Sequence, residues 1–311
     1  MKRDLLLISD ATPRMMEQFS ETFNVVGMDQ LAARTETIEA VATDGHLGVK
    51  PEILNQLPNL KVISCYGVGY DAIDVTDCAE RGIPVGHTPG VLSANVANTA
   101  IMLMLATCHK LLKQDAYVRS GDWASKGNYP LTRSLDEKKV GILGLGRIGE
   151  SLASKLKAFD CPVVYHSRNQ KTDVDYAYYD NLTKMAADVD YLVVITPGGP
   201  ATAKLVNKDV INALGPEGIL INVSRGSVVD EEAMIVALQD GRLGAAGLDV
   251  FATEPHVPAS LRALENVTLT PHVGSATVET RQAMGDLVVE NLASFFATGK
   301  VKTSVPETAH L

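Results

Sequence analysis

Three glycines that follow a short apolar run are the first feature of this sequence with a clear chemical meaning. Gly144, Gly146 and Gly149 come directly after Val140–Leu143, and helix-forming residues follow the last glycine. In this setting the glycines allow a tight turn, let the backbone approach a pyrophosphate and let a helix pack closely on the strand. The amides at the helix N-terminus attract the negative charge. The spacing predicts a dinucleotide-binding loop, whose other members are Leu145, Arg147 and Ile148.

The residues after the next predicted strand indicate which nicotinamide dinucleotide this loop would bind. Sites that prefer NAD place an Asp or Glu there, where it accepts a hydrogen bond from the ribose 2′-hydroxyl. Here the strand at 162–166 is followed by Ser167 and Arg168, and the first carboxylate after the strand is Asp173. A hydroxyl and a guanidinium can both donate hydrogen bonds to a 2′-phosphate. Arg168 by itself could be an ordinary surface arginine, but its position favours NADP(H).

Three further candidates, Arg225, Glu254 and His272, each lie in a segment that follows a predicted strand. The carboxyl ends of parallel strands share one edge of a sheet, and open α/β sheets bind their ligands there. A guanidinium can hold a carboxylate, an imidazole can exchange a proton, and a nearby carboxylate favours the protonated imidazole. Taken singly, these residues could be a surface charge, a turn residue before Pro255 and a packed loop histidine. Together they predict acid–base chemistry on an anionic substrate.

The elements that must position these residues alternate between strand and helix along the chain, which is typical of parallel sheets covered on both faces. We expect a first group of strands at 5–9, 25–27, 40–43, 61–65 and 84–86. We expect a second group at 140–143, 162–166, 191–196, 218–223, 244–250 and 266–270. Helices are expected at 51–57, 75–81, 93–112, 149–159, 182–187, 208–213, 231–241 and 277–298.

Two domains are expected, because 311 residues exceed what one hydrophobic core usually serves. The second group of strands has the size of a complete dinucleotide-binding domain, and the last long helix leads into a tail that can return to the first domain. The predicted fold class is therefore α/β, with two doubly wound parallel-sheet domains. One domain combines residues 1–98 with 287–311, and the cofactor domain at 99–286 is inserted between them.

Charge and cysteine usage exclude several functional classes. The net charge of −9 argues against a partner that is a nucleic acid or an anionic membrane. We recognise no cleavable signal and no apolar stretch long enough to span a bilayer, so a cytoplasmic protein is expected. The four cysteines are scattered without metal-ligand spacing, which favours reduced, buried thiols and no metal site.

Five segments carry a resemblance to a known family. They are residues 67–71 in the first domain, the glycine loop, Ser-Arg-Gly at 224–226 with 228–230 after it, Glu-Pro at 254–255, and Pro-His-Val-Gly-Ser at 271–275. With these segments the chain resembles the D-isomer-specific 2-hydroxyacid dehydrogenases over nearly its whole length. The resemblance implies a Rossmann cofactor domain inserted into a flavodoxin-like substrate domain. It also implies hydride transfer between a nicotinamide cofactor and a small 2-keto acid.

The resemblance also assigns roles to individual residues. Arg225 binds the carboxylate and keto oxygen of the substrate, Glu254 orients His272, and His272 transfers the proton. Negative charge grows on the keto oxygen during reduction, so a guanidinium that stabilises it and an imidazolium that neutralises it suit this chemistry. Val68 and Gly69 hold the other side of the substrate carboxylate through their backbone amides. The remaining cofactor contacts that the resemblance implies are Thr196, Pro197, Val223, Ser224, Gly274 and, at the nicotinamide carboxamide, Asp249.

The substrate is predicted from a narrower similarity. Residues 121–123, 127–132 and 196–200 are similar to the NADPH-dependent hydroxypyruvate and hydroxyphenylpyruvate reductases of this family, whose bacterial members are usually called glyoxylate/hydroxypyruvate reductases. We therefore predict reduction of glyoxylate to glycolate and of hydroxypyruvate to D-glycerate. The alternatives are a 2-ketogluconate or hydroxyphenylpyruvate reductase of the same family and, more distantly, a dinucleotide-sensing binding protein or co-repressor.

The resemblance finally implies a homodimer. In this family the segment around Trp123 and Tyr129 lies in the dimer contact. Trp123 is the only tryptophan of the chain. It either packs within the interface, as aromatic residues often do, or reaches the active site of the neighbouring subunit. The prediction of a homodimer holds for both interpretations.

Overall fold

The computed structural model describes residues 2–311, which form two compact units. Unit 1 contains the chain up to Leu92 together with Ser275–Leu311, and unit 2 contains Ser93–Gly274. Each unit is built on a parallel sheet, and helical connections join most of the consecutive strands. The predicted α/β class with two parallel sheets is confirmed.

The sheet of unit 1 has five strands among the described residues, in the order β2-β1-β3-β4-β5, and all pair in parallel. This order is that of flavodoxin-like folds. The strands are β1 (Arg3–Leu7), β2 (Phe23–Gly27), β3 (Ile38–Asp44), β4 (Val62–Tyr66) and β5 (Val85–Gly86). Mostly apolar sequence forms β3 and β4, and most of their residues on both faces are buried. Each predicted strand is present within a few residues of its expected position.

The first helix of unit 1 is absent from the sequence prediction. The helices in this part of the unit are α1 (Pro13–Thr22), α2 (Leu31–Arg34), α3 (Pro51–Leu54) and α4 (Val75–Glu80). Helix α1 carries two start signals, because Thr12 caps it by accepting from the Met15 amide and Pro13 occupies its first turn. It buries Met15 and Phe19 in the core of this unit. Helix α3 ends at Leu54, three residues before the end that we predicted.

The sheet of unit 2 has seven strands in the described residues, one more than predicted. Its order is β12-β11-β10-β9-β6-β7-β8, and all strands pair in parallel. The strands are β6 (Val140–Leu143), β7 (Val163–His166), β8 (Ala177–Tyr178), β9 (Tyr191–Val194), β10 (Ile219–Asn222), β11 (Ala245–Leu248) and β12 (Val267–Leu269). The unpredicted strand β8 is a two-residue edge strand. The chain reverses its direction of winding between β6 and β9, and doubly wound sheets bind their ligands at such a point.

The five predicted helices of unit 2 are present, the first of them interrupted by a break, and the short helices at 111–119, 122–126 and 259–262 were not predicted. The helices of this unit are α5 (Ser93–Cys108), α6 (Leu111–Arg119), α7 (Asp122–Lys126), α8 (Arg147–Leu156), α9 (Leu182–Ala186), α10 (Lys208–Leu214), α11 (Glu231–Gln239) and α12 (Ala259–Arg262). We predicted a single helix over 93–112, but α5 ends at Cys108. The backbone of Lys110 has φ +54°, in the left-handed region, so a right-handed helix cannot continue through it.

The boundaries between the two units differ from the predicted ones. The last long helix, α13 (Val278–Thr298), runs through one of the predicted boundaries. Asp286 lies in the middle of α13, where its carboxylate accepts from Arg14 at 2.9 Å and from Gln18 at 3.0 Å within unit 1. Asn98 likewise lies inside α5. The chain crosses between units at Leu92/Ser93 and Gly274/Ser275, rather than near Asn98 and Asp286, because continuous helices run through both of the predicted junctions.

Two further expectations concern cysteines and membranes. Cys65, Cys78, Cys108 and Cys161 are all buried, and none of them forms a disulfide within residues 2–311. Burial raises the pKa of the Cys78 thiol to about 12, with Asp77 and Asp74 adding to the shift. Among the described residues, no helix combines the length and apolar character needed to cross a bilayer.

Candidate active site

The glycine loop lies at the point of reversal in the sheet of unit 2, between the ends of β6 and β9. Gly144 has φ +99°, and a Cβ on it would lie 2.9 Å from the Thr196 backbone. A Cβ on Gly149 would lie 2.4 Å from the Gly144 carbonyl oxygen, which shows how tightly α8 packs on the turn. By contrast, a Cβ on Gly146 would meet no atom of residues 2–311 within 4 Å. Two glycines therefore shape the loop, and the third keeps a space open beside it.

This open space faces the start of a helix. Gly146 is the N-cap of α8, and Arg147 and Ile148 are its first two residues. The amides in the first turn of a helix lack partners within that helix, and the helix dipole adds positive potential there. Leu145 is buried beneath the loop. The residues present thus fit the pyrophosphate of a dinucleotide, since the space that a side chain at position 146 would fill is empty and lined by helix N-terminal amides.

Ser167 and Arg168 follow β7 directly, one strand away from the glycine loop. Arg168 is exposed, and the Ser167 hydroxyl donates to the Asn169 carbonyl at 2.7 Å. Tyr178 on the edge strand donates to the Ser167 carbonyl at 3.2 Å, which fixes the start of this segment. The neighbouring Lys171 pairs with Glu150 of α8. The turn after β7 therefore presents a guanidinium and a hydroxyl where an acidic residue would stand in an NAD site.

The turn that carries Arg225 is held by a buried asparagine. Asn222 ends β10, and its side-chain oxygen accepts from the Ser224 amide at 3.1 Å and from the Ser224 hydroxyl at 3.0 Å. Its amide nitrogen donates to the Arg225 carbonyl at 3.0 Å. A Cβ on Gly226 would lie 1.9 Å from the Phe251 carbonyl carbon, so the two backbones touch there. This contact brings the Arg225 turn against the segment that leads to Glu254.

Glu254 and His272 form a hydrogen-bonded pair. Glu254 Oε2 lies 2.8 Å from His272 Nδ1, and Glu254 Oε1 accepts from the Phe251 amide at 2.9 Å. The two side chains retain 21% and 27% of their exposure, so the pair is shielded but accessible to a ligand. A carboxylate at this distance fixes the orientation of the ring and holds a proton on Nδ1. The arrangement suits a histidine that gives and takes a proton.

Asp249 organises the loop from which His272 projects. Its buried carboxylate accepts from the Thr270 hydroxyl at 2.6 Å and from the amides of Val273 and Gly274, both at 2.8 Å. Its carbonyl accepts from the His272 amide at 2.8 Å. His272 has φ +53°, a conformation that is uncommon for a non-glycine residue. The bonds to Asp249 therefore hold the histidine in an otherwise unfavourable backbone conformation.

Comparison with protein families identifies the family to which the chain belongs. Residues 101–274, more than half of the chain, match the family described as D-isomer specific 2-hydroxyacid dehydrogenase, NAD binding domain. The chain belongs to this dehydrogenase family. The match contains the glycine loop, Arg225, Glu254 and His272, so the residues predicted to do chemistry lie within the part of the 2-hydroxyacid dehydrogenase that defines the family.

Individual relatives resemble this 2-hydroxyacid dehydrogenase over most of its length. It is 47% identical over 277 residues to the hydroxyphenylpyruvate reductase of Plectranthus scutellarioides, covering 89% of this chain and 88% of the relative. It is 39% identical over 307 residues to the 2-ketogluconate reductase of Gluconobacter oxydans, covering 98% and 99%. An NADPH-dependent glyoxylate/hydroxypyruvate reductase from Sinorhizobium meliloti, solved with NADP and malonate, superposes with a TM-score of 0.95 at 43% identity, covering 99% and 98%.

Other predicted cofactor contacts of this dehydrogenase lie along the same edge of the sheet of unit 2. Thr196 and Pro197 follow β9, and Val223 and Ser224 follow β10. Gly274 is buried at the end of the loop that Asp249 holds. Asp249 itself was expected at the nicotinamide carboxamide; its carboxylate oxygens accept from loop residues here, and a contact with the cofactor stays a prediction.

The predicted substrate residues Val68 and Gly69 of the dehydrogenase belong to unit 1. They follow β4 in a half-buried turn at the carboxyl edge of that sheet. The hydrogen bonds among residues 2–311 leave their two N–H groups unused. Two backbone amides without a protein acceptor are suited to an anionic ligand.

Sequence reasoning missed residues that position the predicted catalytic groups of this dehydrogenase. Asn222 and Thr270 were assigned no role of their own, although each is a polar residue directly after apolar strand sequence. Glu231 of α11 was also missed, and it accepts from the Ala252 amide at 3.0 Å. The signal for Asn222 and Thr270 was their position at strand ends, where a polar side chain can bond the following turn. Glu231 gave no comparable signal, because its partner is twenty-one residues away in the sequence.

Proposed function

We propose that this 2-hydroxyacid dehydrogenase uses NADPH to reduce small 2-keto acids, glyoxylate and hydroxypyruvate, to glycolate and D-glycerate. The observation that carries the proposal is the Glu254–His272 pair, with Nδ1 and Oε2 at 2.8 Å, in the same unit as the glycine loop. An imidazole held in this way is a proton donor, and a carbonyl that accepts hydride needs one. The family assignment and the named relatives support the same reaction.

Each catalytic side chain has one task in the proposed reaction. His272 donates a proton from Nε2 to the keto oxygen, since Nδ1 faces Glu254. Arg225 contacts the substrate carboxylate and stabilises the negative charge that grows on the keto oxygen. Glu254 balances the positive charge of the imidazolium. The keto acid gains one hydride at C2 and one proton at oxygen, and NADPH is oxidised to NADP⁺. Binding of the carboxylate by the Val68 and Gly69 amides is part of the same proposal.

NADP is the cofactor that the site residues favour. When bound, the reduced nicotinamide supplies the hydride for C2 of the substrate. The space beside Gly146 and the amides at the start of α8 would hold its pyrophosphate. Arg168 would hold the 2′-phosphate through charge-assisted hydrogen bonds, and the Ser167 hydroxyl would donate to it after turning away from the Asn169 carbonyl. The S. meliloti relative, solved with NADP, supports this choice.

Replacing Arg168 with aspartate should shift the cofactor preference from NADPH toward NADH. The change removes a charge-assisted hydrogen bond and adds repulsion with the 2′-phosphate, so the ratio of kcat/KM values should move by about 10²-fold. Steady-state kinetics with both cofactors at saturating glyoxylate measure this ratio. Arg262→Asp is a matched control, because Arg262 is exposed on α12 and the substitution changes the net charge equally. An unaltered ratio in R168D would place the 2′-phosphate elsewhere.

The proposed reaction is tested by following NADPH oxidation with a panel of 2-keto acids. We expect the highest kcat/KM for glyoxylate or hydroxypyruvate and lower values for 2-ketogluconate and hydroxyphenylpyruvate. Higher values for one of the larger acids would support the alternatives that two relatives favour. No turnover with any member of the panel would contradict the enzyme assignment and favour a dinucleotide-sensing binding protein.

We also propose that the protein is a cytoplasmic homodimer. Exposed apolar side chains occur on α5, α6, α7 and the following loop of unit 2, and burial in a dimer would explain them. They are Met102, Leu111, Leu112, Val118, Trp123 and Leu131. Four buried cysteines that form no disulfide among the described residues support a reducing compartment. The mass of the purified protein in sedimentation equilibrium tests the dimer, and a monomer at micromolar concentration would contradict it.

A further inference from the structure

The turn after β4 in unit 1 is tied to the segment after β5 by two hydrogen bonds. The Thr88 amide donates to the Gly67 carbonyl at 2.8 Å. The ring nitrogen Nδ1 of His87 lies 3.1 Å from the Val68 carbonyl oxygen. A carbonyl oxygen can only accept, so the proton of this bond is on Nδ1. The carbonyls of Gly67 and Val68 therefore both accept hydrogen bonds from the segment after β5.

The hydrogen bond to the Val68 carbonyl also determines the direction of the Gly69 N–H. The Val68 carbonyl and the Gly69 N–H belong to one planar trans peptide, in which they point in opposite directions. A hydrogen bond that sets the direction of the Val68 carbonyl therefore sets the direction of the Gly69 N–H. That N–H and the Val68 N–H have no acceptor among residues 2–311. The His87 ring thus lies behind the peptide and directs one amide away from itself.

The His87 ring and backbone are themselves well anchored within unit 1. The His87 carbonyl accepts from the side chains of Asn291, at 3.1 Å, and Thr303, at 2.6 Å, and the His87 amide donates to the Thr303 carbonyl at 3.0 Å. Asn291 is fully buried in α13. The ring packs edge to face on Tyr70, with centroids 5.4 Å apart, and the Tyr70 hydroxyl donates to Glu307 at 3.1 Å. A donor held at both its backbone and its ring is suited to positioning another group.

We propose that His87 is a positioning residue for substrate binding: it orients the Val68–Gly69 peptide so that the Gly69 amide donates to the carboxylate of the 2-keto acid. This inference rests on the proposed function, since it takes the 2-keto acid as the ligand of the turn. It adds a residue that lies outside the segments with a predicted role. Because a carboxylate is bound and not transformed at this point, His87 should influence binding of the keto acid more than the chemical step.

Two substitutions separate the hydrogen bond from the packing of the ring. His87→Phe keeps an aromatic ring against Tyr70 and removes the donor. His87→Asn removes the ring and keeps an N–H donor at nearly the position of Nδ1. We expect H87F to raise the KM for glyoxylate about tenfold, as for partial loss of a hydrogen bond to a charged group. Its kcat and its KM for NADPH should stay close to wild type. The KM of H87N for glyoxylate should stay close to that of the wild-type protein.

A binding measurement provides a readout that does not depend on turnover. The dissociation constant of oxamate, which carries a carboxylate beside a carbonyl, is measured by calorimetry on the NADP⁺ complex, and H87F should raise it about tenfold. Thermal denaturation of both variants checks that they are folded. If H87F keeps the wild-type KM and oxamate affinity, or if H87N is impaired as much as H87F, the positioning role is wrong. Absence of keto-acid turnover in the wild-type protein would instead contradict the proposed function.

Discussion

Replacing His272 with alanine should lower kcat for glyoxylate reduction about 10²–10⁴-fold, the usual contribution of a positioned proton donor. The Glu254–His272 pair places an imidazole with its Nδ1 fixed at 2.8 Å from a carboxylate oxygen, and alanine removes the proton source. NADPH affinity should remain near wild type, because the glycine loop and the turn after β7 are untouched. Stopped-flow or steady-state measurement of NADPH oxidation, with fluorescence titration of NADPH binding, tests both statements.

Two further variants make the His272 experiment specific. His256→Ala removes an exposed histidine from the same stretch of chain as Glu254, and its activity should match wild type. Glu254→Gln keeps an acceptor for the Phe251 amide but removes the carboxylate charge beside His272 Nδ1. We expect its kcat to fall less than that of H272A, because the imidazole that donates the proton is still present. Wild-type kcat in H272A would show that another group supplies the proton.

Replacing Gly146 with alanine should weaken NADPH binding about 10- to 100-fold without destabilising the protein alone. Its φ of −88° suits any residue, and the added methyl group would meet no atom of the described chain within 4 Å. The methyl group would instead occupy the space beside the first amides of α8. Steric conflict of this kind typically costs about 1–3 kcal/mol, which corresponds to this range of affinity. Fluorescence titration measures the affinity, and thermal denaturation without cofactor measures the stability.

The neighbouring glycine provides the contrasting case. In Gly149→Ala, the new Cβ would lie 2.4 Å from the Gly144 carbonyl oxygen, so the protein itself must shift. G149A should therefore lower the melting temperature of the cofactor-free protein, whereas G146A should not. If G146A bound NADPH with wild-type affinity, the space beside Gly146 would not be the site of the pyrophosphate.

The sequence predicts the parts of the site in which a strand end and a reactive side chain coincide. The glycine loop was recognisable because Val140–Leu143 is uniformly apolar and the glycines have fixed spacing. Arg225 and His272 were recognisable because each follows apolar strand sequence, and parallel strands end at one edge. The structure places the Glu254–His272 pair in contact, as the resemblance to the family implied. Periodicity and strand ends are local properties of a chain, so a single sequence carries them.

The supporting contacts could not be predicted in the same way. Asn222, Asp249 and His87 act through hydrogen bonds to backbone groups, and backbone groups leave no trace in the sequence. Whether a polar residue at a strand end bonds the next turn depends on the local backbone path. The edge strand β8 was missed because two residues are too few for a periodic pattern. The junctions between units were misplaced because continuous helices, rather than loops, pass through the predicted positions.

The contact between Gly226 and the Phe251 backbone has a consequence for how such an enzyme can be altered. The two segments touch through main chain, so neither can change its path without moving the other. Arg225, Glu254, His272 and the glycine loop all lie within Ser93–Gly274. A recombinant chain that keeps this stretch intact and takes the remainder from a relative would inherit these groups as one set.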